Sequence, residues 1–257
     1  MATLQQSHSV VSSPIEPEPS RILGQPAKQH WPSSLGSCKD IWILQNWKMD
    51  MTGSKKVGRV EGFRDLSLYR LLHWTFPRSK MPLTPLSSLR VSKHLIPAHD
   101  LIPNCSIQNK PLLIYHSAFQ RPISATRIES HLSSVGVVIP QWRFTMYTTT
   151  HFHSTSHEVL CISHGRARLC FGGEENEDRV EPVVEAGDVV IVPAGVGHRL
   201  LEDLTGGFEM VGSYPEGHNW DMCYGKSGEE EKVNAIKDLE WFPRDPIYGD
   251  QGPTKGI

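Results

Sequence analysis

The stretch HFHSTSHE, residues 151–158, places three histidines and one glutamate in eight positions. Read as β structure, it has a definite consequence. His151 and His153 are two residues apart, so on a strand both rings share one face. The next four residues form a turn, and Glu158 opens the strand that returns. On that strand Glu158, Leu160 and Ile162 have one parity, and His157, Val159 and Cys161 the other. Glu158 therefore faces the imidazoles, while His157 points away and is expected to support the site or an interface rather than to ligate. A second stretch, GDVVIVPAGVGH at 187–198, ends in a fourth candidate, His198, after an apolar strand and a Pro-Gly turn. Three neutral imidazoles and a carboxylate suit one divalent transition metal ion, such as Fe, Mn, Zn or Ni. Such a set leaves positions for water, dioxygen or a bidentate substrate. The alternative is a histidine-rich polar turn that binds nothing, and the decision rests on whether the two stretches meet.

Outward from this segment the chain is organised as short strands. They are read at 112–116, 141–149, 157–162, 166–171, 180–184, 188–192, 198–201 and 208–214. Gly165, Gly172–Gly173, Gly187, Gly195–Gly197 and Gly206–Gly207 punctuate them. Strands this short and closely spaced predict an all-β sandwich or barrel rather than a parallel sheet. One helix is expected at 124–136, where Ser124 can cap the start and Gly136 the end. A weaker helical pattern lies at 229–241. DPIYGDQGP at 245–253 reads as a rigid tail packed outside the strands, and YPEGHNWD at 214–221 as an ordered loop near their mouth, with Trp220 able to touch a ring substrate.

Residues 1–94 have a different texture and are expected to be a disordered or weakly ordered basic leader, with 95–257 forming the single domain. The first 35 residues are rich in Ser, Pro and Gln. IWILQNW at 41–47 is an apolar island, and SLYRLLHW at 67–74 has room for two helical turns. Residues 1–95 hold thirteen Lys/Arg against six Asp/Glu, a surplus of +7 that leaves −9 for the rest of a chain with formal charge −2. That near-neutral total gives no electrostatic case for nucleic acid. The five cysteines have no metal-site spacing and suggest no disulfide framework. With no secretory leader and no membrane-length apolar run, a cytoplasmic protein is expected.

The two histidine stretches resemble the paired motifs of the cupin superfamily. His151, His153, Glu158 and Gly165 match the first motif, with Thr145 in place of its opening glycine. Gly187, Pro193, Gly195 and His198 match the second, with Glu202 where asparagine is usual. The segments PLLIYHSAF, QWRF, PAGVGH, GSYPEG and DPIYGDQGP are similar to those of small single-domain cupins from bacteria and fungi, including fungal cupin-domain oxidoreductases. The resemblance implies an RmlC-like jelly-roll β-barrel, with a short helix before it and a C-terminal extension, and His151, His153, Glu158 and His198 as metal ligands.

If the alternation of the strand before His151 is carried backwards, Arg143, Thr145, Tyr147 and Thr149 share the histidine face, and Trp142, Phe144 and Met146 take the other. The inner surface is then polar and hydrated. Arg143 either pairs with an internal acid or binds an anionic substrate oxygen, and Tyr147 either bonds locally or orients that oxygen. Together with Glu158 these are the candidate catalytic residues. The function expected from the resemblance is a metal-dependent oxidoreductase or dioxygenase acting on a small chelating, anionic or phenolic metabolite. A metal-dependent isomerase or epimerase and a non-catalytic small-ligand-binding cupin are the alternatives. The only partners expected are a small-molecule substrate and a second copy of the chain in a homodimer.

Overall fold

The computed structural model describes residues 81–257. The features read at 41–47 and 67–74, and most of the basic leader, lie outside the described residues. The strands are β1 (Arg90–His94), β2 (Leu112–His116), β3 (Val138–Phe144), β4 (Glu158–His164), β5 (Arg166–Phe171), β6 (Val183–Glu185), β7 (Val189–Val192), β8 (His198–Asp203) and β9 (Glu209–Pro215). They form a six-stranded sheet in the order β1-β2-β7-β4-β9-β3 and a three-stranded sheet in the order β6-β5-β8. All the ladders are antiparallel. The hydrogen-bonded order is thus two sheets and not one closed ring. Residues 81–94, read from sequence as leader, contribute Met81 to the core and β1 to the edge of the large sheet.

The large sheet is covered on both faces, which explains why VVIV in β7 and EVLCIS in β4 are buried without alternation. One face presents Leu160, Ile162, Val190, Val192 and Met210. They share an apolar layer with Ala167, Leu169 and Phe171 of the small sheet. The other face presents Val159, Cys161, Val189, Ile191 and Val211 to Ile128 and Leu132 of helix α1 (Ala125–Val135) and to Phe242 and Ile247 of the C-terminal segment. Each such aliphatic side chain contributes about 1.5–3 kcal/mol by leaving water, so both coverings are needed to hold β4.

Helix α1 begins and ends where its caps direct. The Ser124 hydroxyl accepts from the Arg127 amide, and Gly136, at φ 69°, donates its amide to the Leu132 carbonyl. Its place in the order differs from the expectation. It follows β2, a strand of the large sheet, so it is a crossover between β2 and β3 rather than a helix preceding the strands.

The helical pattern after residue 229 shortens to α2 (Glu230–Ala235) and one 3-10 turn (Ile236–Asp238). The remaining tail is fastened by Asp245. Its fully buried carboxylate accepts from Tyr115 Oη at 2.7 Å, from the Ile247 and Tyr248 amides at 2.8 Å, and from the Thr254 amide and hydroxyl at 3.1 Å. Gly252 permits this, because a Cβ there would stand 2.0 Å from the Asp245 Cγ. DPIYGDQGP is therefore a packed tail. No helix among the described residues is long and apolar enough to cross a membrane.

Candidate metal centre

The two histidine stretches meet through their backbones. Residues 151–153 run extended beside the start of β8. The His198 amide donates to the His151 carbonyl at 2.8 Å, and the His151 amide returns the bond at 3.2 Å. The Gly195 amide then donates to the His153 carbonyl at 2.9 Å. Gly195, at φ 90°, turns the chain tightly here, where a Cβ would meet Pro103 at 2.9 Å and the Asn104 carbonyl at 3.2 Å. His151, His153 and His198 are consequently buried together, each offering a ligand atom within 4.8 Å of the others.

Glu158 is the first residue of β4, across from Val192. Its Oε1 lies 3.5 Å from His153 Nε2 and its Oε2 lies 3.5 Å from His198 Nε2. The carboxylate thus bridges two of the three imidazoles.

The proton inventory shows what this arrangement is suited to hold. His151 Nδ1 faces the Thr149 carbonyl at 3.0 Å, His198 Nδ1 the Val196 carbonyl at 2.9 Å, and His153 Nδ1 the Asp221 carbonyl. A carbonyl only accepts, so each Nδ1 carries the hydrogen and each neutral ring keeps its Nε2 lone pair. These lone pairs converge beside a carboxylate whose Oε2 has no hydrogen-bond partner. Acceptors facing acceptors in a buried place are costly, and one cation satisfies all of them. The donor set of three imidazoles and a carboxylate therefore fits a divalent transition ion.

The charges act in the same direction. Burial pushes Glu158 up, but His153, His198 and the Tyr214 hydroxyl outweigh it and bring its carboxyl down to about 2. His198 falls to about 3 through burial and the adjacent His151. His151 is also lowered, chiefly by burial. For His153 burial acts downward, but Glu158 reverses the sign and the ring is raised. The field of Glu158 thus favours positive charge among the rings, while burial opposes spreading it over all three.

Two further residues hold these side chains in place. Tyr214 of β9 donates its hydroxyl hydrogen to Glu158 Oε1 and accepts from Trp142 Nε1 at 3.0 Å. The Trp142 ring reaches this position by lying over Gly212, where a Cβ would come within 2.0 Å of it. Asp221 supports His153 from the other side. Its carbonyl accepts from the ring, and its carboxylate takes the Ser154 amide at 2.7 Å and the Ser154 hydroxyl at 2.8 Å. Tyr214→Phe is expected to leave Glu158 Oε1 without its donor and weaken metal binding by about 10-fold or more. Titration of the stripped variant with Zn(II) against a chromophoric chelator checks this, and unchanged affinity would contradict it.

The structure separates the catalytic candidates. Arg143 is exposed and pairs with Glu129 of α1 through two hydrogen bonds, with Thr126 Oγ1 at 3.0 Å. It stands on the helix side of β3, while its neighbour Trp142 reaches Tyr214 on the histidine side. The expected parity is inverted because β3 ends at Phe144 and residues 145–150 are irregular, so a two-residue period does not carry through to His151. The polar, hydrated interior is also corrected, since the layer behind the site is aliphatic and aromatic. Tyr147 does stand beside the site, its ring 5.6 Å from that of His151. Trp220 flanks the other end, 6.0 Å from His153. His157 faces away as read: its ring packs against Trp241 and Phe242, and its Nδ1 accepts from the Ala194 amide at 3.0 Å. Burial, with His218 and Lys110 nearby, brings it down to about 4. Sequence reading missed Tyr214 and Asp221. The parity of β9 was the available signal for Tyr214, which stands two residues from Gly212 on the histidine face; Asp221 lies in an irregular loop without such a period.

A surface groove of about 430 Å³, lined by Leu101, Ile107, Lys226 and Val233 among others, includes none of the site residues.

A family model described as "Cupin" matches residues 146–203, the span that contains all four metal-site candidates. "Uncharacterized protein YjlB" of Bacillus subtilis (strain 168) is 34% identical over 148 residues, covering 57% of this chain and 85% of that one. Among solved structures, procruciferin, an 11S globulin from Brassica napus, is 14% identical with a TM-score of 0.27, over 57% of this chain and 29% of that one. A mutant of the Bacillus subtilis oxalate decarboxylase OxdC is 17% identical with a TM-score of 0.26, over 44% of this chain and 27% of that one. The chain spans less than a third of either solved structure, and these likenesses have no bearing on its reaction. The matched span and the extent of the YjlB match agree with the fold built above: the chain belongs to the cupin family.

Proposed function

We propose that the protein is a metal-dependent cupin oxidoreductase, of the dioxygenase kind, acting on a small chelating metabolite. The observation that carries this reading is the convergence of three Nε2 lone pairs beside a buried carboxylate oxygen without a hydrogen-bond partner. His151, His153 and His198 would hold the ion, and Glu158 would complete the set. Bound there, the ion would supply Lewis acidity and, as Fe(II), redox chemistry with dioxygen.

The chain's own groups divide the remaining work. The three backbone carbonyls fix the imidazole tautomers. Tyr214 keeps Glu158 Oε1 occupied, so Oε2 is the oxygen that ligates or receives a substrate proton. Tyr147, whose ring packs edge-on to His151, would give the substrate an aromatic contact beside the ion. Arg143 is committed to Glu129, so the anionic-substrate role expected for it is not part of the proposal.

A second reading follows from the same unpartnered Oε2. A carboxylate beside a polarised carbonyl can move a proton without redox change, which is isomerase or epimerase chemistry. The discriminating experiment purifies the protein with its native metal, measures metal per chain, and screens catechols and 1,3-dicarbonyls in an oxygen electrode. Fe-dependent oxygen uptake with one of them is the expected result. Turnover that persists without oxygen, with Zn or Mn, overturns the dioxygenase reading in favour of isomerisation. Metal bound without turnover of any tested chelator favours a binding protein.

A further inference from the structure

Among the described residues, four aromatic side chains are left well exposed: Phe144, Tyr147, Trp220 and Tyr224. Three of the four gather at the metal centre. Tyr147 (42% exposed) packs edge-on to His151, Phe144 (44%) stands 6.0 Å from Tyr147, and Trp220 (40%) stands 6.0 Å from His153. One aromatic group thus flanks each end of the His151–His153 pair, whose rings are 5.5 Å apart and nearly buried. Exposed apolar surface concentrated around a buried polar centre marks a ligand site.

The backbone that carries Trp220 and Tyr147 is anchored on both sides of the site. Trp220 is bracketed by two anchors, since the Asn219 carbonyl accepts from Thr155 Oγ1 at 2.6 Å and the Asp221 carboxylate binds Ser154. The Tyr147 carbonyl accepts from the Leu200 amide at 2.9 Å. A ligand that stacks here therefore meets rings carried on backbone that folding has already ordered. Arg143, next to Phe144 in sequence, is turned to α1.

We propose that Tyr147, Phe144 and Trp220 form an aromatic slot over the three histidines that selects planar aromatic chelators, such as catechols and ortho-hydroxy aryl carbonyls, over aliphatic chelators with the same pair of oxygens. This rests on the metal-centre reading and narrows it to a substrate class. Trp220 and Tyr147 are the specificity-determining residues, because they stand at the two ends of the histidine pair.

The test uses the full chain loaded with Zn(II) and two bidentate oxygen probes. 4-Nitrocatechol is planar and aromatic and is followed by its visible absorbance. Acetohydroxamate is aliphatic and is followed by displacement of the first. Trp220→Ala and Tyr147→Ala are each expected to weaken 4-nitrocatechol by about tenfold, the scale of one lost aromatic contact, and to leave acetohydroxamate within about twofold. Phe144→Ala, farther from the histidines, is expected to have a smaller effect in the same direction, and serves if either other variant folds poorly. Equal losses for both probes, or no loss for 4-nitrocatechol, overturn the slot while leaving the metal centre intact. A wild-type chain that takes up no Zn(II) overturns the metal reading and the slot with it.

Discussion

His153→Ala and His198→Ala are each expected to lower metal affinity by more than about 100-fold, beyond the 10–100-fold typical of losing an outer partner. His157→Ala behaves differently although it lies next to Glu158. Its ring is committed to Trp241, Phe242 and the Ala194 amide on the other face of the large sheet. Removing it opens a cavity and leaves a buried amide unpaired, for about 2–3 kcal/mol of stability, while the metal remains. The contrast separates ligation from folding: inductively coupled plasma measurement of metal per chain reads the first, and urea denaturation reads the second. Full metal content in the His153 and His198 variants would contradict the assignment of ligands.

Asp245→Ala carries the largest expected stability loss. The substitution strips the acceptor from five donors at once, three amides and two hydroxyls, all in the buried tail. A loss of at least about 3–5 kcal/mol follows from leaving such groups unsatisfied, or roughly 6–20 °C in Tm for a domain of this size. Asp245→Asn keeps one acceptor oxygen and is expected to lose less. The effect reaches the metal centre indirectly. The tail's Phe242 and Ile247 pack on Val159 and Cys161 of β4, the strand that Glu158 opens. Thermal unfolding monitored by circular dichroism checks the prediction, and a loss below about 1 kcal/mol would contradict the role given to this carboxylate.

The elements legible in sequence were those set by local chemistry. β2 and β5 were read at their observed ends, and α1 has the Ser124 and Gly136 caps that its sequence requires. The His151, His153 and His198 cluster was legible because the two stretches resemble the paired cupin motifs; the i, i+2 spacing alone left a histidine-rich turn equally open. What failed was extrapolation past a strand end. Counting parity back from His151 placed Arg143 inside, but the strand stops at Phe144 and the face inverts. The helix was read correctly in place and wrongly in order, because nothing local reveals that β2 joins β7 of the same sheet. Tyr214, Trp142 and Asp221 reach the site across long sequence separations, so their roles follow only from the register of β3 on β9 and from the docking of the 217–223 loop on Ser154.

The most direct test of the central claim is a crystal structure of the protein grown with its native metal, with diffraction recorded on both sides of that metal's absorption edge. The account predicts one anomalous peak, about 2.0–2.2 Å from the Nε2 atoms of His151, His153 and His198 and from Glu158 Oε2. No peak among these four side chains, or a peak bound through other residues, would contradict it.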